Sequence, residues 1–159
     1  MPNAAQTRAS LLHPIKQKIF LWSKLPGAAF MGCRIDEFTP EKAVVSLPYG
    51  WRSQNPFQSI YFAAQCAAAE LSTGILAMNA IAESERRVSM LVVGMKAEFV
   101  KKATLRTDFT CIQGADFTTA IAESLASGEG RIVTARSVGV QADGEVVSRF
   151  EFTWSLKAK

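Results

Sequence analysis

The stretch "NPFQSIYFAAQCAAAELSTGILAMNAIA", residues 55–82, decides how the chain is read. From about 56 to 82 it is rich in alanine, and its apolar residues fall on all sides, which is the mark of a helix buried all round. Asn-Pro at 55–56 signals a turn, with Asn55 a candidate cap and Pro56 a candidate first helical residue. The segment is long enough to cross a bilayer, but Gln58, Gln65, Glu70, Ser72, Thr73 and Asn79 argue against a span. Protein must surround it instead. Alanines at 63, 64, 67, 68, 69, 77, 80 and 82 would let a concave sheet approach the helix axis closely.

On either side of this helix the patterns are those of strands. Residues 30–38 and 42–48 read as a strand pair around Thr39-Pro40. After the solvated loop "ESERR" (83–87), strands are expected at 88–100, 104–113, 131–141 and 145–156, with a short helix at 115–126. The last strand places Val146, Ser148, Phe150, Phe152, Trp154 and Leu156 on one face, and "ADGE" at 142–145 is a hairpin signal. Before the first strand, Leu11, Leu12, Ile15, Ile19 and Trp22 recur at helical spacing between lysines. Residues 11–24 therefore read as an amphipathic helix that docks by that stripe and ends at Pro26-Gly27. The order implies an α+β fold, a curved antiparallel sheet wrapped around a long central helix with an extra N-terminal helix. The domain plan is a packed N-terminal helical segment, 1–27, and a single domain, 28–159.

Composition narrows the chemistry. The 159 residues suffice for one core, and 48% hydrophobic with 20% charged residues is ordinary globular usage. Eighteen Lys and Arg against 14 Asp and Glu give +4, without the basic stripe that nucleic acid requires. Cys33, Cys66 and Cys111 are odd in number and widely spaced, favouring thiols in a reducing, cytoplasmic setting. Residues 1–10 lack the apolar core of a signal peptide, and the first acidic residue is Asp36. The only histidine, His13, precedes Pro14 near the chain start, which disfavours Ser-His-Asp and Cys-His catalysis. No metal site and no cofactor are expected: ligand clusters are lacking, and "GEGRIV" (128–133) has Val133 where a dinucleotide fingerprint needs glycine.

Glu70 is the residue this leaves unexplained. On the helix it lies in line with Ser59, Ala63, Cys66, Ala67, Thr73, Gly74 and Ala77, all small. A buried carboxylate needs a partner, a proton or a polar cavity. Two readings stand: it reaches the surface or pairs with Arg52 or Arg106, or it borders a site in the crevice that the small residues leave.

The element order, together with "NPFQSIYFAAQCAAAE", resembles the hotdog-fold thioesterases of the phenylacetate-pathway (PaaI-like) type. It is most similar to a hotdog subfamily catalogued as a domain of unknown function and taken to contain thioesterases. The resemblance spans roughly residues 28–156. It implies an acyl-thioester hydrolase acting on acyl-CoA, with Glu70 as general base or nucleophile and Asn55, fifteen positions earlier, orienting water or substrate. Backbone donors at Gln58, Ser59, Tyr61 and Phe62 would hold the oxyanion. The family's His-Gly-Gly segment falls here on Tyr61-Phe62-Ala63, a departure at the place where glycines let the thioester approach the helix N-terminus. Phe57, Tyr61, Phe62 and Met90 read either as an acyl tunnel or as core. Lys101, Lys102 and Arg131 read as CoA-phosphate contacts or as solvated residues.

If most of the fifteen steps are helical, Asn55 and Glu70 stand about 20 Å apart, and one small site needs them from two chains. A homodimer is thus part of the expectation, with further pairing into a tetramer left open. The alternative reading is a non-catalytic acyl-CoA or lipid-binding module that kept the fold and lost the chemistry.

Overall fold

Pro56 does not open the central helix. In the computed structural model, which describes residues 3–159, the chain from Ser53 to Tyr61 folds back on itself before any helix begins. Gln54 bridges Ile60, the Asn55 N–H donates to the Ser59 carbonyl at 2.8 Å, and the Tyr61 N–H donates to the Ser53 carbonyl at 2.7 Å. Gln58 takes a left-handed backbone, φ 58°, to close this turn. The central helix therefore runs Phe62–Ser84, with Tyr61 as the residue just before it, and continues past the expected end at 82.

Six strands and four further helices complete the chain. Helices α1 (Ala4–Leu12), α2 (Pro14–Lys24) and α3 (Pro26–Met31) precede β1 (Arg34–Phe38) and β2 (Ala43–Leu47). The central helix is α4. After it come β3 (Val88–Phe99), β4 (Thr107–Cys111), α5 (Gly114–Ser127), β5 (Arg131–Gln141) and β6 (Val146–Ala158). The strands form one antiparallel sheet in the order β1-β2-β4-β5-β6-β3, with β3 on an edge. Asp143 and Gly144, the latter at φ +89°, turn β5 into β6.

Ala64, Ala68, Ala69, Ile75, Leu76 and Ala77 of α4 are fully covered, as are Val45, Leu47, Phe109, Ala135 and Leu156 on the strands facing them. Small helix residues and large strand residues interdigitate, each buried phenylalanine contributing about 3 kcal/mol. Three hydrogen bonds pin the sheet onto the helix: Ser148 Oγ to Gln65 Oε1 at 2.8 Å, Ser72 Oγ with Ser137 Oγ at 2.8 Å, and Trp154 Nε1 to Thr73 Oγ1 at 3.1 Å. α5 packs beside α4 through Phe117, Ala120 and Ile121.

The N-terminal segment departs from its sequence reading. Instead of one helix over 11–24 there are three between Ala4 and Met31, because Pro14 and Pro26 each occupy a first helical position and restart the chain. Asn3 and Gln6 close a capping box on α1, a signal that the sequence reading passed over; residues 1 and 2 of the expected segment lie outside the described residues. The docking face is also different. Leu11 is buried, but Ile15, Ile19 and Trp22 point outward, and α2 packs by Gln17 and Leu21. The cause is polar: Gln17 Nε2 donates to the carbonyls of Leu11 (2.6 Å) and Ile35 (2.7 Å), while its Oε1 accepts from the Ile35 N–H at 3.2 Å. Turning the apolar stripe inward would strand these buried groups.

Candidate active site

The fold-back of residues 53–61 places the N-terminus of α4 at the mouth of an open cleft of about 800 Å³. Asn55, Phe57, Ser59, Tyr61 and Phe62 line one side, and Phe99, Lys101 and Lys102, at and beyond the end of β3, line the other. Phe62 meets Tyr61 and Phe99 edge to face, at 4.9 and 6.3 Å between ring centres.

Asn55 is not the helix cap. Its Oδ1 accepts from the backbone N–H groups of Phe57 (2.9 Å) and Ser59 (3.3 Å), and its Nδ2 donates to Ser59 Oγ at 3.0 Å. It is the organiser of the loop, and one Nδ2 hydrogen remains uncommitted.

Most of the expected backbone donors are occupied. The Gln58 N–H donates to the Asn55 carbonyl at 3.1 Å, Ser59 to Asn55 Oδ1, and Tyr61 to Ser53. Their hydrogen bonds close the loop, so these donors are already committed. The N–H groups of Phe62 and Ala63, by contrast, make no hydrogen bond among the described residues, and no side chain caps the helix. At the positive end of a 23-residue helix they form a pair of free donors.

Glu70 lies two turns further along α4. The eight positions from Phe62 climb about 12 Å, so the carboxylate is not part of the same chain's cleft. It is half-buried and makes no hydrogen bond or ion pair among the described residues. Arg106, one candidate partner, is held by Asp36 at 2.6 Å and Asp108 at 3.1 Å, and Arg52 does not reach it. Burial pushes the Glu70 carboxyl above its ordinary range. Its Oε1 rests over Gly74, where an added Cβ would lie 3.2 Å away and would also lie 3.4 Å from the Trp154 ring. One turn below, Cys66 approaches the Met95 sulfur at 3.2 Å, and its thiol is raised by burial and then by Glu70.

Trp154, which the alternation of the last strand places only on one of its faces, stands with Glu70 beside Gly74. The Glu70 and Gly74 spacing, a carboxylate one turn before a glycine, was the available signal for a side chain folding back on its helix. Among the remaining expected contacts, Lys102 Nζ lies 3.4 Å from the Phe57 carbonyl, and Lys101 is engaged by Glu145. Arg131 does not line the cleft; at the start of β5 it meets Glu123 at 3.2 Å and Glu129 at 3.6 Å. No three His, Cys, Asp or Glu side chains gather into a metal-binding group among the described residues. No described helix is long and apolar enough to cross a membrane.

Residues 16–156 match a family model described as Domain of unknown function (DUF4442). The chain belongs to that family. The DUF4442 chain is similar in fold to a Pseudomonas aeruginosa protein of unknown function described as a probable thioesterase, at 19% identity and TM-score 0.77, covering 92% of this chain and 97% of that one. A Chlorobaculum tepidum protein of unknown function gives TM-score 0.80 at 12% identity, over 99% and 98% of the two chains. A thioesterase from Haemophilus influenzae gives 0.64 at 14%, over 87% and 86%. At these identities the likeness is one of fold, and the fold of the DUF4442 chain is the hotdog. No curated protein matches the chain.

Proposed function

We propose that the protein hydrolyses acyl thioesters, with acyl-CoA as the substrate class, at sites formed between two copies of the chain. The observation that carries this reading is the Glu70 carboxylate, unpartnered, half-buried and folded over Gly74 on a helix whose N-terminus offers two free N–H groups. Thioesterase descriptions of proteins with the same fold agree with it.

In this mechanism Glu70 takes a proton from water, and the hydroxide adds to the thioester carbonyl. The oxyanion is held by the Phe62 and Ala63 N–H groups, with the helix dipole behind them. Collapse breaks the C–S bond, and the thiolate leaves with the proton that Glu70 holds. Direct attack by Glu70, giving an anhydride that water then opens, uses the same groups. Asn55 orients the water through its free Nδ2 hydrogen, and Lys102 faces the CoA phosphates.

Because Glu70 is absent from its own chain's cleft, the carboxylate of one protomer serves the Asn55 loop of the other. The edge strand β3 supports such pairing: twelve residues long, it bonds only β6 and exposes Leu91, Val93 and Met95. Free Cys33, Cys66 and Cys111 suit a reducing, cytoplasmic setting.

One feature favours a second reading, an acyl-CoA-binding module: the exposed Phe62 ring stands beside the free donors, where a side chain narrows the approach. A single assay separates the two. Aromatic, short and long acyl-CoAs are offered while free thiol is recorded, with Glu70→Gln alongside and particle mass measured by sedimentation. Turnover in a dimer, lost in Glu70→Gln with binding kept, is the expected result. Saturable binding without turnover assigns the module, and equal turnover in both proteins removes Glu70 from the mechanism.

A further inference from the structure

The outward stripe of α2 has no part in the chemistry at Glu70. Ile15, Ile19 and Trp22 are 66%, 64% and 54% exposed, and their spacing sets them in one line along the helix. Leu12, the last residue of α1, is exposed as well. Since Gln17 and Leu21 already secure the opposite face, folding does not require this stripe.

The charges on the helix itself are all of one sign. Lys16 and Lys18 flank the line, and Lys24 ends the helix. Lysine ion pairs among the described residues are Lys42 with Glu37 and Lys101 with Glu145, so these three are unmatched. No acidic residue precedes Asp36 in the chain. Beside the stripe, a cleft of about 520 Å³ is lined by Lys18, Trp22, Arg34 and Arg52, with no acidic side chain on its wall. Arg34 meets Asp36 at 3.0 Å from outside the cleft, while Arg52 has no ion pair among the described residues. Next to Arg52, the exposed Trp51 ring stands against Phe30 at 5.9 Å.

We propose that this face docks the protein on the surface of an anionic lipid bilayer. An 11-residue helix cannot span hydrocarbon but can lie in the interface, with isoleucines and tryptophan below the headgroups and lysines among them. The basic cleft beside Trp22 then receives a lipid phosphate. A second copy of the chain is a poor occupant, because a two-fold contact through this stripe sets Lys16 and Lys18 against their own images without an acid to neutralise them. The docking is independent of the hydrolase reading.

The test is flotation of the full-length protein with vesicles of phosphatidylcholine alone or mixed with phosphatidylglycerol. Binding is expected only to the mixed vesicles, with release at high salt. Lys16→Gln and Lys18→Gln should each weaken it about fivefold, and Ile15→Ser with Ile19→Ser at least about tenfold, while circular dichroism stays unchanged. No flotation on anionic vesicles, equal flotation on neutral ones, or wild-type affinity in the isoleucine variant overturns the proposal. So does a changed particle mass in the isoleucine variant, which assigns the stripe to a contact between copies. Binding of inorganic phosphate without flotation assigns the cleft to a soluble anion and overturns it as well.

Discussion

Replacing Gly74 by alanine should make the protein more stable and less active. A glycine inside a helix costs about 1 kcal/mol relative to alanine, and nothing in the φ value of Gly74 demands it. What demands it is space: the new methyl would lie 3.2 Å from Glu70 Oε1 and 3.4 Å from Trp154 Cη2, so one neighbour must yield by a few tenths of an ångström. Trp154 is tied to Thr73 Oγ1 at 3.1 Å, whereas the carboxylate has no tie. The carboxylate therefore moves, at little cost, and most of the helix gain survives as a rise in Tm of about 2–3 °C for a domain of this size. A displacement of 1 Å can cost about a hundredfold in rate, so a few tenths should lower kcat roughly three- to tenfold with KM nearly unchanged. Thermal melting and thiol-release kinetics on the same preparation check both halves. A Gly74→Ala protein with unchanged kcat would show that the carboxylate's position over Gly74 has no role, and a lower Tm would show that Trp154 cannot be crowded.

Glu70→Gln should change stability in a pH-dependent way. Burial raises the carboxyl's pKa in the folded chain above its unfolded value, so ionisation destabilises the fold. The variant should match wild type below the ordinary glutamate range and exceed it at neutral pH, the gap opening from the unfolded pKa upward, as urea titrations at several pH values will show. For the same reason wild-type turnover should climb as pH rises through the raised pKa. Asn55→Ala removes four loop hydrogen bonds, of 2.9, 3.0, 3.3 and 3.3 Å. It should cost about 2 kcal/mol in urea denaturation, with faster amide exchange at Phe57 and Ser59. Gly114→Ala should be the most damaging single methyl: its Cβ would fall 1.8 Å from the Pro40 carbonyl oxygen, backbone that cannot swing aside. A loss of about 3 kcal/mol or more is expected, read as a fall in Tm of roughly 6–12 °C.

Sequence reading succeeded where one periodicity dominated. The alternation of β5 and β6 gave 131–141 and 145–156 against observed strands at Arg131–Gln141 and Val146–Ala158, because each residue there has only an inner or an outer face to occupy. The central helix is legible from its alanines, but it starts at Phe62 rather than at 56. Pro56 looked like a first helical residue, and only tertiary hydrogen bonds from Ser53, Asn55 and Ser59 keep 55–61 as a loop. The same bonds decide which N–H groups remain free, so Phe62 and Ala63 could not be told from Gln58, Ser59 and Tyr61 beforehand. α2 misled for another reason. Apolar spacing names a stripe but not its side, and a single glutamine with two backbone carbonyls within reach reversed the choice.

That glutamine separates two duties normally carried by one helix face. Gln17 and Leu21 anchor α2, so the residues at 15, 19 and 22 are free of any part in folding. They are consequently the natural place to attach a fluorophore or an affinity handle: a label at Ile19 would report on whatever approaches the protein from that side while leaving the alanine-lined interior untouched.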